Sequence, residues 1–128
     1  KILSELREKL GVSIMFVTHN IAAQAQIADR MAIMYAGEVM EVGSVDDMFK
    51  EPLHPYTQAL MAATPMIGAR KKLASLPGIP PDLRSLPKGC SFNPRCARAM
   101  AGKCDAANPK MIEVKPGRFV KCHLVGGE

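Results

Sequence analysis

Residues 14–22 read IMFVTHNIA, and the fold class turns on how the first four of them are taken. Ile14-Met15-Phe16-Val17 is short, bulky and without polar alternation, which is the pattern of a strand covered on both faces. It predicts a strand from Ser13 to Thr18 in a parallel sheet, and with it an α/β fold. In an open parallel sheet, ligands bind beyond the carboxyl ends of the strands. His19 stands at that place and is the first candidate functional residue, with capping or packing as the plain alternative.

On the N-terminal side of this run, Ile2, Leu3, Leu6 and Leu10 form one stripe among charged residues, and Gly11 follows. That predicts an amphipathic helix ending at Leu10. A chain that opens inside such a helix, without an initiator Met, and then enters a doubly covered strand reads as the remnant of a longer sheet. On the C-terminal side, Asn20 is an N-cap for a short helix through Ala28, with Ile21, Ala25 and Ala28 inward. Met31 to Tyr35 and Glu38 to Val42 predict a hairpin turning at Ala36-Gly37, with Val39 toward the core. Ser44 and Asp47 make an approximate capping box for a helix to about Lys50. Pro52 stops that helix. Pro55 suits the first position of another, which places Tyr56, Leu60 and Ala63 on one side and ends at Thr64-Pro65.

From Ile67 to Lys88 the composition shifts, with Pro77, Gly78, Pro80, Pro81 and Pro87 excluding regular structure. This stretch predicts a domain boundary. Beyond it, residues 89–128 show little apolar periodicity and are too few and too polar to be held by a core alone, so a staple is expected. All four cysteines, Cys90, Cys96, Cys104 and Cys122, lie there. The charge is divided the same way. Residues 1–65 carry 5 Lys+Arg and 8 Asp+Glu, and residues 66–128 carry 12 and 4, so the formal net charge of +5 belongs to the second half. Nothing resembles a signal peptide, and no apolar run approaches the roughly 20 residues that span a bilayer. The reading is a soluble, intracellular chain, in which metal or free thiols are expected over disulfides.

The stretch ILSELREKLGVSIMFVTHNIAAQAQIADRMAIMYAGEVMEVGSVDDMF, residues 2–49, resembles the C-terminal third of an ABC transporter ATPase, in which the strand ends in a switch histidine. EPLHPYTQALMAATP, residues 51–65, is similar to the segment that follows the nucleotide-binding domain in the ATPases of oligopeptide, dipeptide and nickel importers. The resemblance implies that His19 reaches the γ-phosphate of ATP, as catalytic and nucleotide-binding residue of the parent subunit. One departure is visible: Asn20 stands where the family most often has Asp. His54, Pro55 and Tyr56 read physically as a helix start and are diagnostic of identity only. The implied organisation is 1–50 as the end of the nucleotide-binding domain, 51–66 as a family-specific helix, 67–88 as a Pro-rich linker and 89–128 as a cysteine-rich domain. The fold class is therefore the α/β remnant of a P-loop NTPase sheet with flanking helices, followed by a small irregular metal-stapled tail.

The cysteines are spaced C-x5-C-x7-C-x17-C, without the paired C-x2-C of most structural zinc sites. The span resembles the cysteine tail of the same importer ATPases, FNPRC at 92–96 being its most specific part, and the family implies a four-iron four-sulfur cluster on Cys90, Cys96, Cys104 and Cys122. Four thiolates leave a net charge of −2 around such a cluster in its 2+ state or around Zn²⁺, and Arg95, Arg98, Lys103 and Lys121 lie near in sequence to offset it. Zinc, two disulfides and reduced thiols stay open beside the cluster, and a structural role ranks above a redox one.

The sequence holds no G-x-x-x-x-G-K-[ST] loop, no LSGGQ-like signature, no strand ending in Asp-Glu and no Q-loop. ATP and Mg²⁺ therefore belong to the parent, and these 128 residues alone are expected neither to bind nucleotide well nor to hydrolyse it. The implied partners are a second ATPase subunit, identical or related, two transmembrane permease subunits and, indirectly, an extracytoplasmic substrate-binding protein. The implied place is the cytoplasmic face of the membrane. Self-association through the uncovered sheet remnant is expected. From another class, a basic half with clustered cysteines could form a small metal-binding module for nucleic acid or protein partners. Only Phe92 and Phe119 are aromatic in that half, and its basic residues are scattered, which weighs against nucleic acid.

Overall fold

A computed structural model describes residues 2–64, 76 and 78–125. Its centre is a four-stranded antiparallel sheet in the order β1-β2-β4-β3. The strands are β1 Arg30–Tyr35, β2 Glu38–Ser44, β3 Ile112–Lys115 and β4 Arg118–Val120. Helices α1 Ile2–Leu10, α2 Ile21–Ala25, α3 Val45–Lys50 and α4 Pro55–Ala63 precede or flank it, and a 3-10 turn covers Asn93–Arg95. None of these helices is long and apolar enough to cross a membrane.

The expected hairpin forms. β1 alternates outward and inward residues, so that Met31, Ile33 and Tyr35 are buried. Ala36 and Gly37 both adopt positive φ, 50° and 80°, the geometry of a two-residue turn whose twist matches the strands it joins. In β2, however, the core residue is Met40, fully buried, where Val39 was expected. Glu41 is fully buried as well. β1 and β2 change register between Ile33 and Met34, Ile33 pairing with Glu41 and Met34 with Val39, so Met40 is the extra residue of a bulge and the simple inward-outward alternation fails there.

The cap signals are met locally. Asn20 Oδ1 accepts the Ala23 N–H at 3.0 Å at the start of α2, which ends at Ala25, short of the expected Ala28. Ser44 Oγ accepts the Asp47 N–H at 3.1 Å at the start of α3. His54 Nδ1 accepts the Tyr56 N–H at 3.0 Å at the start of α4, with Pro55 in its first turn. Gly11, at φ 62°, donates its N–H to Arg7 O and closes α1.

The strand expected from Ser13 to Thr18 does not form, and the parallel sheet inferred from it is replaced by an antiparallel one. A strand of that kind needs a neighbour on each edge, and among the described residues none pairs with this run. Met15 and Val17 are accordingly 92% and 88% exposed.

The cysteine-rich half is less irregular than expected. Ile112–Lys115 and Arg118–Val120 form a second hairpin around Pro116 and Gly117, and Glu41 and Val42 of β2 pair with Val120 and Phe119 of β4. Strands from both sides of the Pro-rich stretch therefore share one sheet. Within that stretch, residues 67–75 and 77 lie outside the described residues, and 78–88 contain no helix or strand.

Opposite charges hold the two halves together across this seam. Lys115 pairs with Asp47 at 2.6 Å, Arg118 with Glu41 at 2.8 Å, and Lys121 with Glu38. The asymmetry read from the sequence is thus consumed partly inside the fold. One apolar cluster gathers Tyr35, Met40, Cys90 and Phe92 with Tyr56, and a second gathers Met31, Ile33 and Met48 with Leu60.

Candidate functional site

Cys90, Cys96, Cys104 and Cys122 all line one small pocket, together with His54, Phe92, Arg98 and His123. Four local features bring them there. Gly89, at φ 76°, turns the chain so that Cys90 N–H donates to Cys104 O at 2.8 Å. The 3-10 turn Asn93–Arg95 then carries the chain from Cys90 to Cys96, whose N–H donates to Asn93 O. A run of turns over residues 101–106 presents Cys104. Cys122 lies two residues beyond the end of β4, which the sheet holds in place.

Every one of the four sulfurs is offered a backbone N–H. Phe92 and Asn93 serve Cys90, Arg98 serves Cys96, and Leu124 serves Cys122. The Met100 N–H lies 3.4 Å from Cys104 Sγ. Burial pushes the thiols of Cys90, Cys96 and Cys122 up, the neighbouring cysteines add to the rise, and the N–H donors oppose it. A neutral thiol is a weak acceptor, whereas a thiolate gains from each such donor. Four free thiols around one pocket, each facing an N–H, are in kind the donor set of a thiolate-bound metal or cluster. Among the described residues no three of His, Cys, Asp or Glu stand close enough to hold an ion, and the cavity between them is about 10 Å³, near the smallest that admits one water.

His54 was read from the sequence as a helix start, and it is that; it is also a wall of this pocket. It is 1% exposed, and its ring lies 5.8 Å from that of Phe92. Burial pulls its pKa down to about 4, against an upward pull from the Glu41 carboxylate. Since Nδ1 accepts the Tyr56 N–H, the ring proton is on Nε2, and Nε2 has no partner among the described residues. Below it, Glu41 accepts the Leu53 and His54 N–H groups at 3.0 and 2.9 Å and pairs with Arg118. Arg118 also donates to Glu51 O. No sequence signal singled out Glu41 or Arg118. Their roles depend on the pairing of β2 with β4, which is not local.

His19 is exposed and is not among the residues that line the cysteine pocket. Its neighbours shape the turn: Thr18 Oγ1 accepts the Asn20 N–H at 3.0 Å, and Asn20 caps α2. Asn20 thus supplies the capping oxygen that the more usual Asp would supply.

The family model described as "Oligopeptide/dipeptide transporter, C-terminal region" matches residues 40–104, a span that runs from β2 through three of the four cysteines. The chain is 42% identical over 125 residues to the oligopeptide transport ATP-binding protein AppD of Bacillus subtilis (strain 168), covering 97% of this chain and 38% of that protein. It is 41% identical to the dipeptide transport ATP-binding protein DppD of Caldanaerobacter subterraneus subsp. tengcongensis, covering 97% of this chain and 38% of that protein. To the oligopeptide transport ATP-binding protein OppD of Escherichia coli (strain K12) it is 41% identical, covering 94% and 36%. The chain therefore spans little more than a third of the length of these curated relatives.

Proposed function

Because the chain belongs to the oligopeptide/dipeptide transporter C-terminal-region family, we propose that it forms the C-terminal part of the ATP-hydrolysing subunit that energises a peptide-class ABC importer. The observation that carries this reading is the 42% identity to an oligopeptide transport ATP-binding protein across nearly the whole chain. In the working assembly this subunit meets a second ATPase subunit and two transmembrane permease subunits at the cytoplasmic face of the membrane. An extracytoplasmic binding protein delivers the solute.

His19 is the contact to the ATP γ-phosphate, acting as charge develops on the transferring group. The groups that cradle the phosphates and hold Mg²⁺ are not found in these residues, so the 128-residue chain by itself is inactive. Cys90, Cys96, Cys104 and Cys122 are the residues that would hold a four-iron four-sulfur cluster, whose contribution would be structural, fixing the cysteine-rich half against the sheet.

The test is made in an intact subunit that carries these residues. His19→Ala should abolish most ATP turnover while leaving ATP binding nearly intact. Near-normal hydrolysis by that variant would remove His19 from the mechanism. Anaerobic purification of the chain, followed by its absorption spectrum and iron and sulfide content, tests the cluster, with zinc content as the alternative outcome.

A further inference from the structure

His19 stands on backbone that no ladder holds, since residues 12–19 form neither helix nor strand. Among the described residues its ring has no hydrogen-bond partner. An exposed side chain of that kind takes the direction its backbone gives it, and a free backbone would leave it many. Two side-chain bonds remove that freedom. Thr18 Oγ1 accepts the Asn20 N–H at 3.0 Å, a closure from residue i to i+2 that spans His19. Asn20 Oδ1 accepts the Ala23 N–H at 3.0 Å, and Asn20 O accepts the Gln24 N–H at 3.1 Å. At φ −92° and ψ 93° Asn20 is extended, as an N-cap is. His19 therefore lies inside one closed turn and directly ahead of the first turn of α2.

We propose that Thr18 and Asn20 are positioning residues for His19, together fixing the backbone from which its ring reaches the γ-phosphate. The inference rests on the reading of His19 as that contact and names what holds it in place. A group that acts on a transferring phosphoryl must be placed to within a fraction of an ångström, and a misplacement of about 1 Å can cost on the order of a hundredfold in rate. Packing does not supply that precision to an exposed residue; the two bonds do. The part of the Asn20 side chain is that of an acceptor oxygen, which an amide and a carboxylate offer about equally well at an N-cap. Placement of His19 therefore asks for the oxygen and not for the charge that Asp would bring.

The experiment uses an intact ATP-hydrolysing subunit that carries these residues, and reads kcat, KM for ATP and melting temperature. Thr18→Val keeps the shape and removes Oγ1, while Thr18→Ser keeps the hydroxyl. Asn20→Ala removes the capping oxygen, while Asn20→Asp keeps it. Thr18→Val and Asn20→Ala should each lower kcat by about tenfold or more, with KM within about twofold, and Thr18→Ser and Asn20→Asp should stay within about threefold of the unsubstituted subunit in kcat. Ser44→Ala, which removes a cap of the same kind from α3, should lower the melting temperature and leave kcat unchanged. An unchanged kcat in Thr18→Val would overturn the proposal, as would equal losses in Asn20→Ala and Asn20→Asp. Thr18→Val is also combined with His19→Ala. If Thr18 acts through the histidine, the double variant is no slower than His19→Ala alone; a further loss would trace the effect to structure and overturn the proposal. Should His19→Ala itself hydrolyse ATP normally, the reading of His19 falls and this proposal with it. Should His19→Ala abolish turnover while Thr18→Val and Asn20→Ala leave it intact, that reading stands and only the positioning role is lost.

Discussion

Glu41 and Arg118 meet at 2.8 Å with their side chains 0% and 2% exposed, and they join β2 to β4 across a separation of 77 residues. The pair is more than a charge contact. Glu41 also accepts two backbone N–H groups ahead of α4, and Arg118 reaches the Glu51 carbonyl and, at 3.6 Å, Asp47.

Removing one partner strands the other in a dry site, where breaking a buried pair costs about 3–5 kcal/mol. Glu41→Ala should therefore lower the urea midpoint by an amount corresponding to that loss. A cost below about 1 kcal/mol would mean that Arg118 finds water when Glu41 is gone.

Glu38 gives the fold a pH dependence of known sign. Burial alone would raise its carboxyl, but hydrogen bonds from Lys121, Asn108 and Ser91 outweigh this and hold it below its usual 4.5. As pH falls the unfolded chain takes up this proton first, so the stabilisation is full above about 4.5 and is lost as pH falls through the lower folded value. Thermal melts between pH 6 and 3 should show a decline that is shallower in Glu38→Gln.

Gly89 cannot carry a side chain. At φ 76° a Cβ would lie 2.4 Å from Cys104 O, a backbone atom that accepts the Cys90 N–H. Gly89→Ala should cost more than about 1 kcal/mol, and it should raise the rate at which Cys90 and Cys104 react with a thiol reagent. Gly37→Ala, whose Cβ meets nothing within 4 Å, supplies the control: it should leave cysteine reactivity unchanged.

Ile2, Leu10, Met15 and Val17 are exposed, an apolar surface of the kind that is covered by association. Light scattering of the isolated chain at low micromolar concentration should show species larger than a monomer. Met15→Lys combined with Val17→Lys should reduce them. A monodisperse monomer would show that this surface is tolerated in water.

Elements encoded within a few residues were legible in the sequence. The Ala36-Gly37 turn, the caps at Asn20, Ser44 and His54, and the end of α1 at Gly11 rest on contacts between near neighbours. Ser13 to Thr18 misled because an apolar run states a preference for burial and cannot supply the strands that would cover it. The second hairpin went unseen although Pro116-Gly117 between IEVK and RFV was a turn signal, because four cysteines in a polar segment suggested a fold without a sheet. The cysteines were legible as a set. The part of His54 beside them was not, since it depends on Phe92 and Cys90 packing against residues of the first half.

The seam between β2 and β4 also sets an order of events in folding. Each hairpin closes within a few residues, on the microsecond scale, whereas bringing Arg118 to Glu41 closes a loop of 77 residues, at an entropic cost of roughly 4 kcal/mol. On these separations the two hairpins are expected to form early, and their docking is expected to be the late, rate-limiting step. Until it occurs, Glu41 would lack its Arg118 partner, and Cys122 would not yet have joined the other three cysteines.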